Sequence, residues 1–147
     1  MLLNFFTKLP IPNKIPEEMQ KIAEELSRSA SKEDCLKSAY EIMTQKYRGY
    51  RFRTYTKIHL AFETDLEKLW QRTGFMHCHA INYLLRILLI KSGWFDDSDI
   101  RFRYSLVWYI SPHQYLRVKV GDDKCLDVDI WNHHYGKEFG DYAHGFH

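Results

Sequence analysis

Cys78 stands at the head of the most apolar segment of the chain. His113 and two aspartates, Asp127 and Asp129, follow on segments that alternate like paired strands. A thiol, an imidazole and a carboxylate are the parts of nucleophilic catalysis: the thiolate attacks, the imidazole carries the proton, and the carboxylate fixes the tautomer of the imidazole. The first turn of a helix has unpaired N–H groups and the positive end of the dipole, and both favour thiolate over thiol. His77 and His79 flank Cys78 and can add positive charge. A lone cysteine at a helix start is also an ordinary core residue, so the downstream strands must turn the reading toward chemistry.

Those strands can be counted. Residues 113–120 place Gln114, Leu116, Val118 and Val120 on one face, with His113, Tyr115, Arg117 and Lys119 on the other. Residues 125–131 alternate again, with Leu126, Val128 and Ile130 inward. If a turn at 121–123 pairs Val120 with Lys124, then His113, Asp127 and Asp129 share a face. Asp129 falls opposite Tyr115 and diagonal to His113, which makes it the expected orienter. Asp127 falls opposite Arg117, where an ion pair is its expected role, with orienter as the alternative. A slip of one residue would turn both aspartates away.

The elements that must position these groups divide the chain. Residues 1–16 carry Pro10, Pro12 and Pro16 and read as an extended arm. Pro16 suits the first position of a helix, with Glu17 and Glu18 against its dipole and Met19, Ile22, Ala23 and Leu26 on one face through about Arg28. Ser31 and Asp34 form an approximate capping box for a second helix through Leu36, Ala39, Tyr40 and Met43, with Cys35 as a buried hydrophobe. Residues 47–57 interleave aromatics with Arg48, Arg51, Arg53 and Lys57 and read mainly as a solvated connection. A rim facing a substrate and a nucleic-acid contact are the lesser readings of that stretch. Residues 60–70 form a short helix or turn, and Thr73–Gly74 is punctuation. The stretch MHCHAINYLLRILLIKSG, with Cys78 in its first turn, is apolar nearly all round, which predicts a central buried helix. Residues 100–110 give a first strand, and the tail 132–147 reads as a flexible or partly docked terminus, with a lid or substrate contact as the alternative. Helices first and an antiparallel meander afterwards is an α+β order, with the central helix packed on the sheet.

The composition is globular, and 147 residues can bury a core without disulfides. A net charge of +2 argues against nucleic acid as a partner. Three cysteines do not make a disulfide framework, and no apolar run spans a bilayer, so a reducing cytoplasm and no membrane association are expected.

Two stretches, GFMHCHAINYLLRILLIKSG and HQYLRVKVGDDKCLDVDIW, resemble the two motifs of the transglutaminase-like branch of the papain-type cysteine enzymes. The former is similar to the nucleophile turn opening an apolar helix. The latter is similar to a strand led by the base, a turn, and a strand ending in the orienting Asp. The segment SRSASKEDCLKSAYEIMTQKYRGYRF resembles the helix that precedes the nucleophile in such domains. The resemblance covers about residues 20–131 and implies a catalytic domain at 17–131 with Cys78, His113 and Asp129 as triad. Cys125 stands where that strand-turn-strand motif usually has an aromatic, and Ile130 where a Pro often follows the Asp.

The implied chemistry is acyl transfer from an amide or ester through a thioester. The expected substrate is a protein, a peptide or a small amide, and no cofactor is needed. Water as acceptor makes a protease or amidase, and an amine makes a transglutaminase. The Cys78 N–H is one oxyanion donor, and Gln71 or Trp70 upstream is the expected side-chain donor. Two rival readings remain open. One is a binding module that keeps the fold without catalysis. The other is a metal site drawn from His77, Cys78, His79, His113, Cys125, His133, His134, His144 and His147, although their spacing fits no structural zinc motif.

Overall fold

A computed structural model describes residues 2–146. Pro16 leads into helix α1 (Glu17–Leu26), whose first turn carries Glu17 and Glu18 against the positive dipole end. The Ser31 side chain accepts from the Asp34 N–H and starts α2 (Lys32–Lys46) as the capping pattern predicts. Then come β1 (Tyr47–Arg48), α3 (Arg51–Thr56), a 3-10 turn at Ile58–Phe62, α4 (Leu66–Gln71) and β2 (Gly74–Phe75). Helix α5 (Cys78–Lys91) has Cys78 in its first turn, and Gly93, at φ 82°, turns the chain out of it.

The sheet is antiparallel, in the order β3 (Ile100–Val107), β4 (Ser111–Lys119), β5 (Cys125–Val128). Helix α5 lies between this sheet and the first two helices, packing on β4 from one side and on α1 and α2 from the other. Every residue of α5 from His79 to Leu89 is buried, which is why its sequence is apolar nearly all round. Leu84, Leu85 and Leu88 join Leu36, Met43, Leu116, Val118 and Val128 in one core. Each such aliphatic contributes about 2 kcal/mol by leaving water. Among the described residues no helix is long and apolar enough to cross a membrane.

The two polar interruptions of α5 tie it to its neighbours. Asn82 Nδ2 donates to the Gln114 carbonyl at 3.0 Å and to Gln114 Oε1 at 3.1 Å. Arg86 Nε donates to Asp97 at 2.9 Å, and its Nη atoms donate to the Asn4 side chain and the Leu9 carbonyl. Asn4, wholly buried, also donates to the His79 carbonyl at 2.8 Å. Residues 2–9 are therefore part of the domain rather than an arm leading to it. They open with a 3-10 turn at Leu2–Phe5 because buried side chains at their far end demand partners there.

Three further expectations are corrected, and the tail takes the docked one of its two expected forms. The third strand stops at Val128 instead of 131, because Asp129 caps a short helix, α6 (Ile130–His133). The first strand stops at Val107, since Trp108 and Tyr109 both take positive φ, 54° and 58°. Two bulky residues in that region cost about 1–3 kcal/mol each and turn the chain into β4. The 47–57 stretch is not a plain connection: β1 pairs in parallel with β2, and α3 follows. The tail docks: the Gly145 N–H donates to the Leu106 carbonyl at 2.9 Å, and Tyr142 stacks on Tyr115 with ring centroids 4.3 Å apart.

Candidate active site

Cys78 is the first residue of α5, half-buried at the floor of a pocket of about 340 Å³. That volume is at the low end for small-ligand sites. Helix geometry leaves the N–H groups of Cys78 and His79 without intrahelical acceptors, while Ala80 and Ile81 already donate to the His77 carbonyl, each at 3.1 Å. Two donors are thus available beside the sulfur for a developing oxyanion.

His113 reaches the same place from β4. Its strand pairs with β3 so that His113 lies opposite Ser105, and its side chain is buried. The ring donates through Nε2 to Asp129 Oδ1 at 2.9 Å, which leaves Nδ1 for Cys78. The β4–β5 register is the counted one: the Val120 N–H donates to the Lys124 carbonyl at 2.9 Å, and Arg117 lies opposite Asp127. Asp129 comes one residue past the last paired position, Leu116 opposite Val128.

Asp129 is held by more than His113. It accepts from the Asn132 N–H at 3.2 Å, from Asn132 Nδ2 at 3.0 Å and from the Ala143 N–H at 2.9 Å. Burial pushes its carboxyl up, but the His113 charge and these donors outweigh it and hold it below the ordinary carboxylate range. Asn132 and Ala143 were not foreseen. The Asn three residues after a strand-ending Asp was a usable signal, because an N-cap oxygen accepts from the N–H at that position.

The thiol and the imidazole shift in opposite directions. Burial raises the Cys78 pKa, yet hydrogen bonds from His113 and His79, and their charge, bring it down to about 6. Burial lowers the His113 pKa, yet the charge and hydrogen bond of Asp129, joined by Cys78, hold it up to about 10. At neutral pH the pair is thiolate and imidazolium. His79 is a second histidine at the sulfur, and its Nε2 lies 3.3 Å from the Ala61 carbonyl. The other two cysteines differ. Cys35 is wholly buried against Ser92, with its thiol pushed up by burial, and Cys125 is exposed on β5.

Three expected site residues are elsewhere. Asp127 makes its expected ion pair with Arg117, two-pronged at 2.8 and 2.9 Å, and so does not take the alternative role of orienting His113. Gln71 donates its amide to Glu67 one turn back, at 2.6 Å. Trp70 is buried with its indole N–H on Glu18 at 2.5 Å, so neither side chain serves the oxyanion. Helix α4 faces its own partners, and upstream position in the chain did not translate into position at the pocket.

One side of the pocket wall comes from the 47–57 stretch, for which a rim facing a substrate was a lesser reading; the rest of the wall was not read from the sequence. Arg51, Phe52, Thr54 and Tyr55 come from α3, and Trp108 and Ile110 come from the β3–β4 turn. Trp131 of α6 completes it, with its ring 5.6 Å from that of His113. Gly49 lies flat against Trp131, since a Cβ there would come within 2.1 Å of the indole. Among the described residues no three His, Cys, Asp or Glu side chains converge as a metal site, and His147 lies outside them. Comparison with protein families, curated proteins and solved structures finds no match to the chain.

Proposed function

We propose that the chain is a cysteine-dependent acyl-transfer enzyme of the transglutaminase-like type, acting on amide bonds through a thioester. The observation that carries this reading is the line Cys78–His113–Asp129 at the floor of a pocket, with the thiol drawn down to about 6 and the imidazole up to about 10.

The steps follow from the geometry. The Cys78 thiolate attacks the carbonyl carbon, and the carbonyl π pair moves to oxygen, facing the first-turn N–H groups of α5. When the tetrahedral centre collapses, the C–N bond breaks and the leaving nitrogen takes the proton from His113. A thioester and a neutral imidazole remain. Water or a second amine then gives a proton to His113 and attacks the thioester, and the thiolate leaves. Asp129 stays ionised throughout and holds the Nε2–H, so that Nδ1 faces the sulfur.

The test is turnover of a broad panel of amides and esters by the wild type, Cys78→Ala and His113→Ala, with intact-mass detection of an acyl adduct. The reading expects an adduct of the substrate's acyl mass on Cys78 and loss of turnover in both variants, with folding retained. Turnover that survives Cys78→Ala would end it.

A further inference from the structure

Arg51 is the first residue of α3, and among the described residues its guanidinium has no counter-charge. Its Nε is buried without a hydrogen-bond partner, and no ion pair or side-chain hydrogen bond from it reaches any described residue. It is nevertheless held in place. The guanidinium carbon lies 4.2 Å from the ring centroid of Tyr135 and 4.9 Å from that of Trp108. Trp108 is in turn held by the positive-φ turn between β3 and β4. The Arg51 main chain is pinned too, its N–H donating to the Tyr135 hydroxyl at 3.1 Å.

Arg51 lines the same pocket as Cys78 and His113, and among the described residues no acidic side chain lines it. Residues 47–62 carry Arg48, Arg51, Arg53 and Lys57 with no Asp or Glu among them. Only the Nε of this half-buried side chain is shut off from water, and a donor left unsatisfied beside a nucleophile is unfavourable unless something anionic arrives to meet it. Burial on aromatic rings supplies packing but leaves the Nε–H unsatisfied.

We infer that Arg51 is the specificity residue for a carboxylate carried by the substrate close to its reacting carbonyl. The inference rests on the acyl-transfer reading and adds the class of substrate: an amide next to a carboxylate, supplied by a free chain terminus or by an Asp or Glu side chain. The planar fork binds such a group through two hydrogen bonds, which a lysine cannot reproduce.

Thiol-directed probes test this without a known substrate. Chloroacetyl-glycine and its terminal amide form one pair, in which the carboxylate mimics a chain end. Chloroacetyl-aspartate α-amide and chloroacetyl-asparagine α-amide form the other, in which it mimics a side chain. Each rate at Cys78 in the full chain is divided by the rate of the same probe with free cysteine. The expected result is a carboxylate-over-amide preference of about tenfold or more in at least one pair. That ratio falls to about one in Arg51→Gln and lies between in Arg51→Lys. Because it compares two probes on one protein, partial misfolding of a variant does not mimic the effect. Ratios near one in the wild type for both pairs, or a preference untouched by Arg51→Gln, overturn the carboxylate subsite while the neutral probes still react faster than with free cysteine. Neutral probes that react no faster than with free cysteine instead overturn the activated thiol, and the subsite with it.

Discussion

The Asp129 carboxylate accepts the His113 Nε2–H at 2.9 Å and, with the same oxygens, caps the helix that follows it. One side chain therefore ends a strand, starts a helix and orients the imidazole. Asn132→Ala removes its Nδ2 donor to Asp129 Oδ2. A charged hydrogen bond of this kind contributes about 1.5–3 kcal/mol, so turnover or Cys78 alkylation should fall by roughly ten- to a hundredfold. The Oδ1 of Asn132 is itself buried without a partner, so the loss in melting temperature should be small by comparison. Equal losses in both readouts would reduce Asn132 to a structural role.

The thiolate–imidazolium pair sets a pH window. The Cys78 pKa is lowered to about 6, so the thiolate forms as pH rises through that value. The His113 pKa is raised to about 10, so the acid is lost as pH rises through that one. Turnover should climb near 6, hold through neutrality and fall near 10. In His113→Ala the midpoint of iodoacetamide alkylation at Cys78 should move up toward that of a free thiol, about 8.5. His79→Phe should move it in the same direction, because His79 also lowers the thiol. A midpoint that stays near 6 in both variants would remove the histidines as its cause.

Asp129 also links the site to stability. Its pKa is lower in the folded protein than in the unfolded chain, so its contribution is present above about 3.9 and is lost as pH falls through the folded value. Asp129→Asn should therefore weaken the acid dependence of the denaturation midpoint below about pH 4, and should lower turnover at neutral pH. An unchanged acid limb would mean that other carboxylates carry that dependence.

Gly49→Ala should damage the pocket from behind. A Cβ at Gly49 would meet the Trp131 indole at 2.1 Å, and no small adjustment relieves that. Trp131 or the β1 end must move, at a cost of about 1–3 kcal/mol typical of overpacking. Chemical denaturation measures the stability loss, and tryptophan fluorescence reports the displaced ring. Wild-type stability in this variant would show that the backbone there yields freely.

Asn82 lies one turn along α5 from Cys78 and is bonded to the main chain next to His113. Asn82→Leu leaves the Gln114 carbonyl and amide short of a partner, at about 1–3 kcal/mol. As a positioning residue it should lower Cys78 alkylation at neutral pH and raise the midpoint of its pH profile. Rescue by Asn82→Gln in either readout would show that the bond to β4 matters rather than the volume.

The sequence was most informative where side chains alternate over a buried face. The run 113–120, the three-residue turn and the run from Cys125 were enough to count His113 and Asp129 onto one side, because a half-buried ladder tolerates no slip. The buried helix from Cys78 was equally legible, since its apolar residues cover every face. Helix α3 was not legible, because it buries no residue and so has no periodicity to read. Docking of the tail was one of two readings left open, because two of its ties are main-chain N–H bonds at Ala143 and Gly145, which leave no trace in residue type. Gln71 and Trp70 misled because nearness in the chain was taken for nearness in space. Only the partners on Glu67 and Glu18 decide where those donors go.

The two-residue ladder of β1 and β2 has an evolutionary consequence. It closes the base of the excursion that carries α3, so the chain leaves and re-enters the domain at neighbouring points. Between Arg51 and Leu60 that excursion gives the core no buried side chain. Lengthening, shortening or exchanging such a loop costs little closure entropy and leaves the apolar core beneath it filled. Descendants of one scaffold can therefore acquire new selectivity by rewriting this stretch, while the thiol and its two supporting groups are inherited unchanged.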